Sequence, residues 1–257
     1  MKFSPFLNDV DVNKLKDKYV GKVCVNKCQS SGVILENRTF IDCECMVEYK
    51  KYLSFLNAGI NDRYWNFGYK DLEKKFVKDN TLALRYINAY REKLDKMIEK
   101  GVGIYIQGKP GLAKSAIAYL ILKEAIAKNY TCYSIRMSKL TNLTCESVND
   151  TEKKDMLDWL INDIDLLLIE EIDKDYKIAD TNKWAGKNIN EFFGDLYNSR
   201  HSLIVTSNIP RNELKGIQAD NVIDRLAELI EVSFVGVSYR KFESYLKKML
   251  DEDTTCK

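Results

Sequence analysis

Three groups of side chains in this sequence have types and spacings that suit particular chemistry. The first is the run Gly108-Lys109-Pro110-Gly111-Leu112-Ala113-Lys114-Ser115-Ala116. It follows an apolar stretch expected to be a strand (Val102 to Ile106) and opens an apolar-faced helix expected over Ser115 to Asn129. A glycine-rich turn in that setting aims backbone N–H groups, and the positive end of the helix dipole, at anionic oxygens. Lys114 adds a mobile cation, and the Ser115 hydroxyl suits a Mg²⁺ ion, as in the phosphate-loop pattern G-x-x-x-x-G-K-[ST]. Gly108, Lys114 and Ser115 fit that pattern, but its second glycine is Ala113. If that position needs φ > 0, a Cβ costs about 1–2 kcal/mol and narrows the backbone's approach to phosphate. Pro110 and Gly111 still supply the turn.

The second group sits at the ends of two later apolar runs. Asp165 to Ile169 reads as a buried strand ending in Glu170-Glu171. Beside a phosphate loop, the first acid orients the Mg²⁺ shell and the second polarises an attacking water. The usual first acid is Asp; Glu170 is one methylene longer, which is tolerable if Mg²⁺ is met through water. Ser202 to Thr206 is another strand, and the Asn208 amide just past its tip suits holding that water and sensing a γ-phosphate. Arg225 lies in an amphipathic helix expected over Asp220 to Ile230, and Arg240 opens a last basic helix after a strand at Val232 to Val235. A guanidinium that never deprotonates suits developing phosphoryl charge. Two of them past the catalytic strands suit one acting in trans and one in cis. His201, the only histidine, has no partner cluster and reads as structural.

The third group is Cys24-x3-Cys28, fourteen intervening residues, then Cys43-x-Cys45. Two close pairs bracketing a turn and strand suit a four-thiolate Zn²⁺ knuckle, which can fold a segment too small to stabilise itself. The alternative is four reduced cysteines in a small β-hairpin. Cys132, Cys145 and Cys256 are scattered and read as packing or surface thiols.

The elements that must position these groups follow from the periodicity. Met46 to Leu56 has apolar residues at helical spacing, and Gly59 is a helix stop. We place a domain boundary here, with 1–60 as a front domain and 61–257 as the larger one. Residues 61–76 are rich in aromatics (Tyr64, Trp65, Phe67, Tyr69, Phe76), which suit core packing or a wrap around a purine base. Leu84, Ile87, Leu94, Met97 and Ile98 define one face of a helix over 80–100, with a basic, solvated opposite face that includes Arg91. Tyr130 to Met137 reads as a strand, 138–164 as polar and irregular with a helical patch at Met156 to Ile161, and Ile189 to Tyr197 as a helix.

Composition sets the outer limits. The 257 residues are 45% hydrophobic and 30% charged, enough for one large domain and a small appendage. A net charge of +2 means that any nucleic-acid binding must come from a local basic surface. No apolar stretch is long enough to span a membrane, and the first residues show no secretory run. Seven cysteines, an odd number, suggest a reducing compartment, so a cytosolic protein is expected.

Taken together, the phosphate loop, Leu166 to Glu171, Ile204-Val205-Thr206-Ser207-Asn208, Asp224-Arg225-Leu226 and Ser238-Tyr239-Arg240 resemble the DnaC/DnaI-type helicase loaders, which are AAA+ ATPases grouped with IstB-like transposition helpers. The order and intervals match over roughly 61–245, and the Tyr64-Trp65-Asn66 lead-in and cysteine-bearing front are similar to phage and Gram-positive-type members. The resemblance implies an α/β fold, with a parallel sheet flanked by helices. It implies Lys114 on the β/γ-phosphates, Ser115 and Glu170 around Mg²⁺, and Glu171 as the base. Asn208 would be the first sensor, Arg225 an arginine finger reaching a neighbour's site, and Arg240 the second sensor. A finger in trans implies self-association. The implied activity is slow ATP hydrolysis in a bacterial cytoplasm. The implied partners are a hexameric replicative DNA helicase, held by the front domain, and single-stranded DNA. Two other readings stand beside it: an IstB-like transposition ATPase and a non-hydrolysing interaction module.

Overall fold

A computed structural model of the chain describes residues 4–7, 9–21, 28–29, 31–36, 38–174, 183–215 and 220–238. Cys24, Arg240 and the basic helix expected after it lie outside these residues. The front of the chain opens with α1 (Asp9–Lys16) and a π-helical turn at Asp17–Gly21. A two-stranded antiparallel hairpin follows, β1 (Val33–Glu36) against β2 (Thr39–Asp42). Helix α2 (Glu44–Asn57) then runs to the predicted stop, where Gly59 takes φ +68°.

The face of apolar residues over 80–100 is divided among helices: after α3 (Lys74–Asp79) come α4 (Thr81–Glu92) and α5 (Leu94–Glu99). Lys93 leaves helical geometry at φ −113°, ψ 22°, yet Ile87, Leu94 and Ile98 all remain buried. The break therefore bends the helix without turning its apolar face from the core.

Five short apolar runs form one sheet. They are β3 (Ile104–Gln107), β4 (Cys132–Arg136), β5 (Leu166–Glu170), β6 (Ser202–Ser207) and β7 (Ile230–Ser233), in the order β4-β5-β6-β3-β7. Every neighbouring pair is parallel. Strand β3 starts two residues later than predicted, because Gly101 turns at φ +66° and Gly103 presses against β6, where a Cβ would lie 2.2 Å from the Leu203 carbonyl oxygen. Strand β7 likewise takes Ile230 from the predicted 220–230 helix, since the Ile230 N–H donates to the Gly103 carbonyl. Alternate residues of the strands feed two cores, the pattern of a sheet covered on both faces. Ile104, Ile106, Leu166 and Leu168 pack under α6 (Lys114–Ala127). Tyr105, Leu167, Ile169 and Val205 pack against the opposite layer.

That opposite layer corrects the expectation for 138–164. The segment forms α7 (Met137–Glu146) and α8 (Thr151–Asn162), with α9 (Lys183–Asn198) beside them. Met137, Leu140 and Leu143 are buried at helical spacing, but the Ser, Thr and Asn residues between them mask the period. Helix α10 (Asp220–Leu226) completes the layer. Among the described residues, no helix is long and apolar enough to cross a membrane.

The front and the sheet share packing. Tyr52 and Phe55 of α2 belong to the same buried cluster as Ile117 and Leu120 of α6. Cys28, Cys43 and Cys45 form a separate small cluster with Ile34.

Candidate nucleotide-binding cleft

The phosphate loop sits where the strand order departs from chain order. Strand β3 lies between β6 and β7, while the chain itself goes from β3 to the far edge at β4. Clefts of parallel sheets open at such points, beyond the carboxyl ends of the strands. Two anchors hold the turn: the Phe234 N–H donates to the Gln107 carbonyl (2.8 Å), and the Gly108 N–H to the Ser207 carbonyl (3.3 Å). A Cβ on Gly108 would lie 2.5 Å from the Phe234 carbonyl oxygen, and one on Gly111 (φ +86°) 2.0 Å from Ser238 Oγ. Both positions therefore admit only glycine without rearrangement. Ala113 does adopt the left-handed conformation weighed from the sequence, at φ 54°, ψ 17°, a strain of about 1 kcal/mol at the first residue before α6.

Lys114 is folded back onto this turn. Its Nζ donates to the carbonyls of Gly108 (2.5 Å) and Lys109 (3.0 Å) and to Asn208 Oδ1 (3.0 Å). Asn208 is in turn gripped by Asp173, whose carboxylate accepts from the Asn208 backbone N–H (2.9 Å) and from Nδ2 (2.8 Å). This grip fixes the amide so that its oxygen faces Lys114. Glu171, at φ 57°, donates its N–H to Thr206 Oγ1 (3.1 Å), and its carboxylate accepts from Lys174 Nζ (2.8 Å). Loop cation, strand-tip amide and second acid are thus gathered at three strand ends. Asp173 had no assigned role from sequence; its signal was a carboxylate two residues after Glu171.

A cavity of about 470 Å³ opens over the loop. Lys114, Ser115, Glu171 and Asn208 line it together with the rings of Tyr64, Phe67 and Phe76. Polar groups beside a glycine cradle, with π-faces in the same cavity, fit a nucleoside triphosphate with Mg²⁺. The aromatic lead-in divides between the two uses the sequence allowed. Trp65 is a packing residue that stacks on Tyr52 at 5.2 Å and donates Nε1–H to the Ile60 carbonyl. Lys123 of α6 donates to the carbonyls of Tyr64 (2.8 Å), Trp65 (3.3 Å) and Phe67, tying the lead-in to the loop's own helix. Burial lowers its pKa, and nothing in the sequence marked it. Arg91 is not merely solvated: it ion-pairs with Glu124 and lies 3.7 Å from the centre of the Tyr69 ring.

The remaining candidates lie apart. Glu170 borders a separate cleft, and its carboxylate accepts from Tyr119 Oη at 2.5 Å. Arg225 donates to the Asn190 carbonyl (3.1 Å) and lines a cavity with Lys100, Arg200 and His201 at the amino ends of the strands. Four residues of β3 separate that end from the loop, roughly 13 Å of strand, so Arg225 is turned away from its own loop. His201 Nε2 contacts the Ile161 carbonyl at 2.6 Å, a structural role as read. At the front, the sulfurs of Cys28, Cys43 and Cys45 all lie within 4.8 Å of one another, with Cys28 and Cys45 at 3.5 Å.

Sheet order, loop placement and the acid-tipped strand define an AAA+ P-loop fold. No family model and no curated protein matches the sequence. Solved structures do match the fold. The DnaC helicase loader aligns with a TM-score of 0.59 at 19% identity, covering 68% of this chain and 100% of that one. DnaI aligns at 0.55 and 14% identity, covering 70% and 94%. The replication initiator DnaA, bound to AMPPCP and single-stranded DNA, aligns at 0.51 and 17% identity, covering 70% of this chain but 56% of that longer one. At these identities the likeness is one of fold, and it reaches the same loaders that the sequence motifs resemble.

Proposed function

We propose that this chain is an ATP-dependent loader that holds a hexameric replicative DNA helicase and delivers it to single-stranded DNA, with ATP state controlling release. The observation that carries the reading is the preformed cradle in which Lys114, Asn208 and Asp173 are linked over Gly108 and Gly111. In this reading Lys114 leaves its loop carbonyls for the phosphates, Ser115 and Glu170 hold Mg²⁺, and Glu171 orients the attacking water. Mg²⁺, when bound, supplies positive charge to the β- and γ-phosphoryl oxygens. Asn208, held by Asp173, senses the γ-phosphate. The position of Arg225, away from its own loop, supports a finger acting in a neighbouring copy, and Arg240 is proposed as the second sensor.

The front, residues 1–60, is proposed as the helicase-binding unit. Leu35 and Phe40 of its hairpin are 65% and 75% exposed, an apolar surface that suits a protein partner. Cys28, Cys43 and Cys45, with Cys24 as fourth ligand, are proposed to hold Zn²⁺. Tetrahedral thiolates around zinc stand about 3.8 Å apart, close to the sulfur spacing at this corner. The compartment proposed is the bacterial cytoplasm.

Native mass spectrometry of the full chain with ATP, Mg²⁺ and a hexameric replicative helicase tests the reading. A stable complex that transfers the helicase to single-stranded DNA is the expected result. Co-purification with a transposase instead of a helicase would favour the transposition helper.

A further inference from the structure

Glu170 stands where the motif ordinarily has the shorter Asp, and the additional methylene has a destination. The residue is 6% exposed, and its Oε1 accepts from Tyr119 Oη at 2.5 Å. Among the described residues, Tyr119 is the hydrogen-bond partner of that carboxylate. Tyr119 lies four residues beyond Ser115 on α6, hence one turn further along the same helix face. An Asp at 170 would fall short of the hydroxyl by roughly a C–C bond, about 1.5 Å.

The hydroxyl itself is held on a second side. Ser134 Oγ, on β4, donates to Tyr119 Oη at 3.3 Å. The Tyr119 ring packs against Tyr64 with centroids 4.9 Å apart, and Tyr64 is one of the residues lining the cavity over the loop. A continuous chain of contacts therefore runs from the cavity lining at Tyr64 through Tyr119 to Glu170.

We propose that Tyr119 is a positioning residue that holds Glu170 one helical turn behind Ser115, away from the Mg²⁺ site it would join when released. The inference rests on the ATP reading and deepens it, by assigning the restraint on the metal-shell acid. A charge-assisted hydrogen bond in a dry site is strong, and Glu170 gives it up when it turns toward Ser115. The Glu170–Tyr119 pair then sets how much Mg²⁺ is needed to tighten nucleotide binding.

The test uses a fluorescent ATP analogue bound to the full chain, in EDTA and across a Mg²⁺ series. Tyr119→Phe keeps the ring on Tyr64 and removes only the hydroxyl. It is expected to bind the analogue in EDTA as the wild type does, while the Mg²⁺ concentration for half-maximal tightening falls about tenfold. Glu170→Asp is expected to shift the Mg²⁺ response in the same direction, and adding Tyr119→Phe to it is expected to change nothing further. Should Tyr119→Phe fail to fold, Ser134→Ala decides in its place: it loosens the hydroxyl without touching a metal ligand, and is expected to shift the Mg²⁺ response in the same direction by a smaller factor. A Mg²⁺ response superimposable on the wild type, or two shifts that simply add, overturns the inference alone. No saturable binding by the wild type defeats the ATP reading as well.

Discussion

The loop cleft and the thiol corner both gather reactive side chains, but different forces do the gathering. Lys114, Glu171, Asp173 and Asn208 are delivered by strand ends of a sheet buried on both faces, with Ile104, Leu168 and Val205 at 0% exposure. Lys114, Asn208 and Asp173 are hydrogen-bonded in series, and Glu171 is held by Thr206 and Lys174. At the thiol corner, Ile34 is the partly buried side chain packed against the sulfurs, and residues 39–42 of β2 are all exposed. A sheet of that size carries little stability of its own. The comparison teaches that the cleft is preorganised by packing, whereas the corner has little packing of its own.

Substitutions that break the cradle should therefore act on nucleotide, and those at the corner on local folding. The largest effect is expected from Gly111→Val, which puts a branched side chain at φ +86° and into Ser238. ATP affinity should fall at least about 100-fold by calorimetry, with a lower melting temperature, because the turn must open. Next comes Cys43→Ser. It should remove one equivalent of zinc by mass spectrometry and make 28–45 protease-sensitive, yet leave ATP affinity within about twofold. Equal loss of ATP binding would show that the two regions are not separate.

Asp173→Ala should sharpen the picture inside the cleft. Freed from its grip, Asn208 can turn, so turnover should drop about tenfold while ATP affinity changes by less than about threefold, read from kcat and from calorimetry. The smallest effect is expected from Ala113→Gly. Relief of the left-handed strain is partly offset by a more flexible unfolded chain, leaving about 0.5–1 kcal/mol. In a chain of this size that raises the melting temperature by about 1–3 °C.

What the sequence made legible was local. Gly108, Gly111, Lys114 and Ser115 sit within eight residues, and their spacing carries the chemistry by itself. The strand tips at Glu171 and Asn208 are marked by an apolar run turning polar, and the left-handed need at Ala113 could be posed from the motif. The contacts that complete the site are long-range. Tyr119 meets Glu170 across 51 positions, and Asp173 meets Asn208 across 35, with no pattern linking either pair in one dimension. Helix α7 was hidden for a different reason, while α8 was anticipated only as the patch at Met156 to Ile161. Ser138, Thr141 and Asn142 between the apolar positions of α7 suit loops by propensity, and burial against β4 overrides that preference.

The most direct test of the account is calorimetric titration of ATP with Mg²⁺ into the full chain and into its Lys114→Ala variant. One ATP per wild-type chain, and an affinity at least about 100-fold weaker in the variant at a similar melting temperature, is the predicted result. Equal binding by both, or none by the wild type, would contradict it.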